Sequence, residues 1–159
     1  MYRKVSLSST EAENFELPFE GQLSSSNRWV IMANLIAWEE FEEEYAEQFS
    51  EKMGAPAKSF RMALGALIIK EKLGISDRET VEQIRENPYL QYFIGLSSYK
   101  NEAPFEASML VHFRERISLE LVNKVNRKMV KQNSQEKKEK VNQKKRSKKK
   151  KARTKIKEN

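Results

Sequence analysis

The residues best suited to chemistry in this sequence are the basic ones near its C-terminal end. Residues 131–159 contain 14 Lys and Arg, 3 Glu and no aromatic residue, whereas residues 1–130 contain 16 Lys and Arg against 20 Asp and Glu. So highly charged a segment has too little apolar material to bury a core, and we expect a disordered Lys-rich tail over 131–159. Lys and Arg neutralise phosphates and release their counterions, so nucleic acid is the partner that this chemistry indicates.

Residue types for catalysis are scarce by comparison. His112 is the only histidine, and the sequence contains no cysteine, which argues against a zinc site. The five glycines are isolated, so no Gly-rich phosphate loop is present. The glutamates of residues 39–47 share the polar face of an amphipathic helix, where solvation is their expected role. They could also hold the basic tail when DNA is absent, an idea that salt dependence would test. The sequence therefore predicts no catalytic residue and no metal site.

The elements that must position the basic residues are helices. Apolar residues recur every three or four positions over 28–49 and 106–130, and no segment alternates as a strand does. Residues 57–73 are apolar on nearly every face, which predicts a central, largely buried helix that Gly74 ends in a left-handed conformation. Ser76 begins a capping box that opens a short helix over 77–86, and Asn87-Pro88 opens another. The pattern predicts an all-α fold, a compact bundle of about five helices at 28–130 with a helix-turn-helix-like C-terminal part. Residues 1–27 are expected to form an irregular arm packed on this body.

The last helix is the predicted DNA-contacting element, since its apolar positions face inward and leave basic residues outside. An arginine there can pair with guanine in the major groove. In the body we expect DNA contacts from Lys100, Ser108, His112, Arg114, Arg116, Lys124, Arg127 and Lys128. In the tail we expect them from Lys144, Lys145, Arg146, Lys148, Lys149, Lys150 and Lys151. Ordinary surface charges on an exposed helix would give the same pattern, and the helix at 77–86 is an alternative groove-entering element.

Three separated segments carry a family resemblance. Residues 61–70, 76–95 and 104–117 resemble, in the same order, motifs of the N-terminal domain of bacterial insertion-sequence transposases. Shorter matches lie upstream, at 17–19 and 27–30, so that the resemblance covers about residues 15–125. It implies a domain that binds the terminal inverted repeats of a mobile element. In full-length members this domain precedes an RNase-H-like domain, in which an Asp-Asp-Glu set of carboxylates holds two divalent metal ions.

This sequence departs from the full-length pattern, because Asp77 is its only aspartate. The two catalytic aspartates cannot both be present, so we expect a truncated transposase that binds duplex DNA without catalysing transposition. No cofactor is expected, since Mg²⁺ would belong to the catalytic domain. Expected partners are terminal inverted repeats and, as a homo-oligomer or mixed complex, other transposase chains. No membrane association is expected, and the expected location is the cytoplasm, on the nucleoid when DNA is bound.

Three alternatives remain open at the level of sequence. The body could be a non-enzymatic module that binds another protein. The chain could be an inactive remnant whose tail binds nucleic acid without sequence preference. It could also be an RNA- or ribosome-associated protein whose binding depends on the lysine tail.

Overall fold

The helices occupy most of the residues that the computed structural model describes, which are 11–18, 21–47, 49 and 57–157, with side chains as far as Ala152. Within these residues the α-helices are α1 (Arg28–Leu35), α2 (Trp38–Ala46), α3 (Phe60–Leu73), α4 (Asp77–Glu86), α5 (Pro88–Phe93), α6 (Met109–Arg116) and α7 (Leu119–Lys157). The predicted all-α class is confirmed. The described part of the chain has seven α-helices rather than about five, because two of the predicted helices are each divided.

The first division separates α1 from α2. The indole Nε1 of Trp38 donates a hydrogen bond of 2.9 Å to the carbonyl oxygen of Ala33. In a continuous helix that carbonyl would accept from the backbone N–H of residue 37. The side chain of Ile36 is buried at the bend. The prediction of one helix from 28 to about 49 was therefore wrong, because the hydrogen bond from Trp38 and the burial of Ile36 favour the bend.

The second division separates α6 from α7. Ile117 has an extended backbone, and the Ser118 hydroxyl accepts a 3.1 Å hydrogen bond from the Leu121 N–H. This is the N-cap contact that serine commonly makes at the start of a helix. The predicted last helix thus consists of two helices, each with its own buried face.

Helix α3 lies at the centre of the fold and contacts α2, α4, α5 and α6. Its predicted burial is confirmed, since Ala63, Leu64, Ala66 and Ile69 are at most 1% exposed. A Cβ at Gly65 would lie only 3.1 Å from Cγ2 of Ile94, so the glycine allows the chain after α5 to approach α3 closely. Gly74 ends α3 with a φ of 61°, the left-handed conformation that its position predicts.

Two irregular segments are fastened to the helices. In the N-terminal segment, Phe15 is buried against the ring of Tyr92, and the backbone of Glu16 hydrogen-bonds to Ser97 and Tyr99. The first part of the predicted arm, residues 1–10, lies outside the described residues. The segment between α5 and α6 is held by the buried amide of Gln91 in α5, which donates to the carbonyl of Lys100 and accepts from the Lys100 N–H. The same amide donates to the carbonyls of Ile84 and Arg85 in α4.

The basic segment after residue 130 differs from the prediction of a disordered tail, because α7 continues through it to Lys157. Lys, Arg, Glu and Gln are good helix formers, and the sequence has no Gly or Pro after Pro104. The packed first turns of α7 supply the nucleus that an isolated helix must form at a cost. From 133 to 152 every side chain is exposed, so this part of α7 is a helix surrounded by solvent.

Candidate nucleic-acid interface

Helix α6 carries two of the predicted arginines, and both have protein partners. The Arg114 guanidinium donates to both carboxylate oxygens of Asp77, at 2.8 and 2.9 Å. These hydrogen bonds lower the pKa of Asp77 and raise that of Arg114. The Arg116 guanidinium lies 4.4 Å from the ring centroid of Phe49, a cation–π contact. A base contact by either arginine stays a prediction and would require it to leave or share its partner.

The remaining predicted residues of this region lie on the surface. Ser108, His112 and Lys100 are all exposed. The Nδ1 of His112 lies 3.6 Å from a carboxylate oxygen of Glu115. The backbone of Lys100 is held by Gln91, so the Lys100 side chain projects from an anchored position. These three residues stay candidates for phosphate or base contact.

Two predicted cations on α7 are paired with α2. The Nζ of Lys124 lies 3.2 Å from a carboxylate oxygen of Glu44, and Lys128 pairs with Glu40 one turn further along. The two lysines are spaced by four on α7 and the two glutamates by four on α2, in the opposite order along the chain. The two salt bridges, which we call the rungs, therefore connect antiparallel faces of α2 and α7. The hydrogen bond that Lys124 donates to Glu44 is the main reason that the pKa of Lys124 is raised. Two α2 glutamates therefore hold basic residues in cis, although the lysines precede residue 131.

Arg127 differs from its two basic neighbours. It is exposed, and within the described part of the chain it forms no salt bridge. Asn123 lies about one turn before Arg127 and Asn126 directly precedes it, both exposed on the same side of α7, and the sequence analysis did not single them out. The sequence signal that could have identified them is a pair of asparagines spaced by three beside an arginine.

The predicted tail residues form an exposed cationic group further along α7: Lys144, Lys145, Arg146, Lys148, Lys149, Lys150 and Lys151.

Arg61, which the sequence analysis also did not select, packs inside the fold and connects helices. Its guanidinium lies 5.2 Å from the ring centroid of Trp38 and 5.3 Å from that of Tyr92. It donates to the carbonyls of Tyr92 and Phe93 at 2.7 and 3.0 Å, and so it satisfies acceptors at the end of α5. Burial lowers the pKa of this guanidinium. Arg61 therefore joins α3, α2 and α5.

A cleft of about 720 Å³ opens beside Arg61, and acidic residues surround it. Its lining includes Glu11, Glu13, Glu39 and Glu42. Negative charges around an opening disfavour a polyanion, so DNA is not expected to bind in this cleft. The strongest positive charge lies instead on the exposed part of α7.

Within the described residues, no group of three or more His, Cys, Asp or Glu side chains is arranged to hold a metal ion. None of the helices there is both long and apolar enough to cross a membrane.

Known proteins bear on what this arrangement of helices does. The family model described as Transposase domain (DUF772) matches residues 17–116, which is more than half of the chain. This chain belongs to that transposase domain family. The match extends from the N-terminal segment to the last residue of α6, so the whole of α7 lies after it. The family resemblance inferred from sequence is thereby confirmed at the level of a transposase-related protein.

The transposase domain also has a curated relative. It is 38% identical over 88 residues to the "Uncharacterized protein ORF8 in nfe locus" of Rhizobium meliloti. The match covers 55% of this chain and 42% of the relative, so the chain spans less than half of the relative's length. No solved structure matches the chain.

Proposed function

We propose that this transposase domain binds duplex DNA at the terminal inverted repeats of a mobile element. The observation that carries the proposal is the family match over residues 17–116, which extends from the N-terminal segment to the end of α6. DNA ends are the substrate of transposition, and a helical domain of this family is suited to binding them. Other transposase chains on the same DNA are the proposed protein partners, and the nucleoid is the proposed location.

Electrostatics support DNA as the ligand. Residues 131–159 have 14 basic against 3 acidic residues, and α7 presents those from 131 to 152 on an exposed helix. Each phosphate that they neutralise releases counterions, so binding should weaken steeply with salt. The cleft beside Arg61 is lined by glutamates, so we expect DNA to bind along the exposed part of α7 and not in the cleft.

We further propose that these 159 residues do not catalyse strand transfer. The only aspartate, Asp77, is held by Arg114 at the first residue of α4. An Asp-Asp-Glu mechanism requires two aspartates that approach the same metal ions. Mg²⁺ therefore has no part in the proposed binding. A chain that occupies transposon ends without cutting them would compete with active transposase and reduce transposition.

The test compares the affinity of the whole chain for two duplexes, the terminal repeat of the mobile element nearest its gene and a scrambled duplex of equal length. Fluorescence anisotropy titrations over a range of NaCl concentrations measure both. A matched variant replaces the seven basic residues at 144–146 and 148–151 with glutamine, which retains helix-forming side chains. We expect the variant to prefer the repeat still, while its log–log salt slope falls by up to about 6.

Other outcomes would support the alternatives. Equal affinity for both duplexes, lost when the seven charges are removed, would identify a remnant that binds polyanions without selection. Absence of binding to either duplex would favour a protein-interaction module. Stronger competition by structured RNA than by duplex DNA of matched length would favour an RNA-associated protein.

A further inference from the structure

The first turns of α7 have a buried side and an exposed side of different chemistry. Leu121 and Val125 are at most 3% exposed and pack into the core. The exposed side holds four residues spaced by three and four, which therefore share one helix face: Asn123, Asn126, Arg127 and Val130. Val130, at 62% exposure, is an apolar residue left in solvent.

Two lysines beside this exposed face are held by the body. Lys124 and Lys128 are paired with Glu44 and Glu40, whereas Arg127 forms no salt bridge within the described residues. The arginines of α6 are also occupied, on Asp77 and on the ring of Phe49. Arg127 is therefore exposed, its guanidinium has no salt-bridge partner among the described residues, and two exposed amides lie beside it.

These side chains match the edges of bases in the major groove. Asn can form two hydrogen bonds with adenine, Arg can form two with guanine, and an apolar side chain can contact the thymine methyl group. We propose that the α7 face formed by Asn123, Asn126, Arg127 and Val130 enters the major groove and selects the base sequence. The inference rests on the proposed function, because it specifies which surface of the DNA-binding domain determines the site.

The length of α7 is consistent with base contacts near the body and phosphate contacts further along the helix. Its 39 residues span about 58 Å at 1.5 Å per residue, and a helix of this diameter fits the major groove. A straight helix cannot follow a winding groove over such a length, so only a few turns can contact bases. The turns near the body carry the amides and Arg127, and the turns beyond carry the lysines, which suit flanking phosphates. Because α7 lies after residues 17–116, the family match assigns it no role.

The test begins by selecting preferred duplexes from a randomised pool with the whole chain. Affinities of the selected duplex and of its single-base mismatches are then measured for Asn126→Ala, Arg127→Ala and Arg127→Lys. We expect each variant to lose discrimination at one base position by roughly 5- to 150-fold. Arg127→Lys keeps the charge and loses the two-pronged donor, so it should lose discrimination while it keeps most of its affinity. Lys145→Ala, on the same helix, is the control that should weaken binding to all duplexes equally.

Failure of this inference is distinguishable from failure of the proposed function. If the wild-type chain selects a duplex and the three variants discriminate as it does, α7 does not select the sequence, although the domain still binds DNA. If their affinity falls evenly on all sequences, the face contacts phosphates only, and the inference is again overturned. If the wild-type chain binds no duplex, the proposed function fails and this inference fails with it.

Discussion

Arg114 and Asp77 join the end of α6 to the start of α4 through two hydrogen bonds of 2.8 and 2.9 Å. Planar guanidinium and carboxylate groups match in this geometry, which adds orientation to the charge interaction. The pair spans 37 residues of sequence and connects segments on either side of α5. Arg114 therefore helps to determine how α6 lies on the body, whatever its contact with DNA.

The titration of Asp77 provides a direct check of this pair. Asp77 is the only aspartate, so labelling with ¹³C-aspartate gives a single carboxyl NMR signal. The hydrogen bonds from Arg114 lower its pKa, so the pair stabilises the fold above the unfolded pKa of about 3.9. That contribution is lost as pH falls through the lower folded pKa. We expect Arg114→Gln to raise the Asp77 pKa toward its ordinary value, whereas Arg78→Gln should leave it low. An unchanged pKa in Arg114→Gln would contradict the pairing.

Replacement of Gln91 by leucine should destabilise the fold strongly. The Gln91 amide contacts the backbone of Ile84, Arg85 and Lys100, and leucine would leave these groups without their partner. Each buried polar group left unsatisfied costs about 1–3 kcal/mol, so we expect a loss of about 3 kcal/mol in the free energy of unfolding. Urea denaturation measures this loss. Gln83→Leu is the control, since its amide contacts only Glu79 in an exposed position; a similar loss in both variants would refute the argument.

The contact of Gly65 with Ile94 predicts a coupled effect on stability. Alanine at 65 would place a Cβ 3.1 Å from Ile94 Cγ2, and such overpacking typically costs about 1–3 kcal/mol. Ile94→Ala removes the clashing atom, so the double variant should be less destabilised than the sum of the single variants. Gly74→Ala, strained by its φ of 61° in open surroundings, should add independently to Ile94→Ala. Additivity at Gly65 would show that α3 and the residue after α5 do not meet closely.

The two rungs between α2 and α7 predict rescue by charge exchange. Glu40→Lys with Glu44→Lys, and separately Lys124→Glu with Lys128→Glu, should each lower Tm, because like charges then face one another. Combining all four substitutions restores opposite charges and should recover part of the loss. Since the charged groups are partly exposed, 1 M NaCl should reduce the differences in Tm between the variants and the wild-type chain. A quadruple variant no more stable than expected from the two pairs added together would show that the rungs are not coupled.

The exposed part of α7 should gain helix as ionic strength rises. Lys144 follows Lys140 and precedes Lys148 by four residues, and like charges at this spacing repel and destabilise a helix. The negative ellipticity at 222 nm should therefore increase in magnitude when salt or a short DNA duplex is added. Lys144→Glu, which converts both repulsions into attractions, should show more helix at low salt and a smaller salt response than Lys144→Gln. A signal independent of salt in all three proteins would contradict the prediction.

The candidate interface could be predicted only in part, since burial and pairing depend on distant residues. The spacing of apolar residues placed the cations between 106 and 130 on a helix, because that signal is local, whereas it left those after 130 in a disordered tail. It could not show that Arg114 pairs with Asp77, or that Lys124 pairs with Glu44 from 80 positions away. The sequence contains many acidic residues that could pair with each cation, and only the packing of the helices decides between them. The amides of Asn123 and Asn126 became candidates only once the buried side of α7 was defined.

The sequence by itself determined the all-α class, the charge contrast and the bounds of helices whose ends are set by local chemistry. Ser76 caps α4, Gly74 ends α3 and Pro88 opens α5, and each acts within a few residues of its own position. Tertiary structure decided the bend at Ile36, where the Ile36 side chain is buried in the core and the Trp38 ring packs against that of Phe93. It also decided which basic residues are engaged and which remain exposed, because that choice depends on which helices pack together.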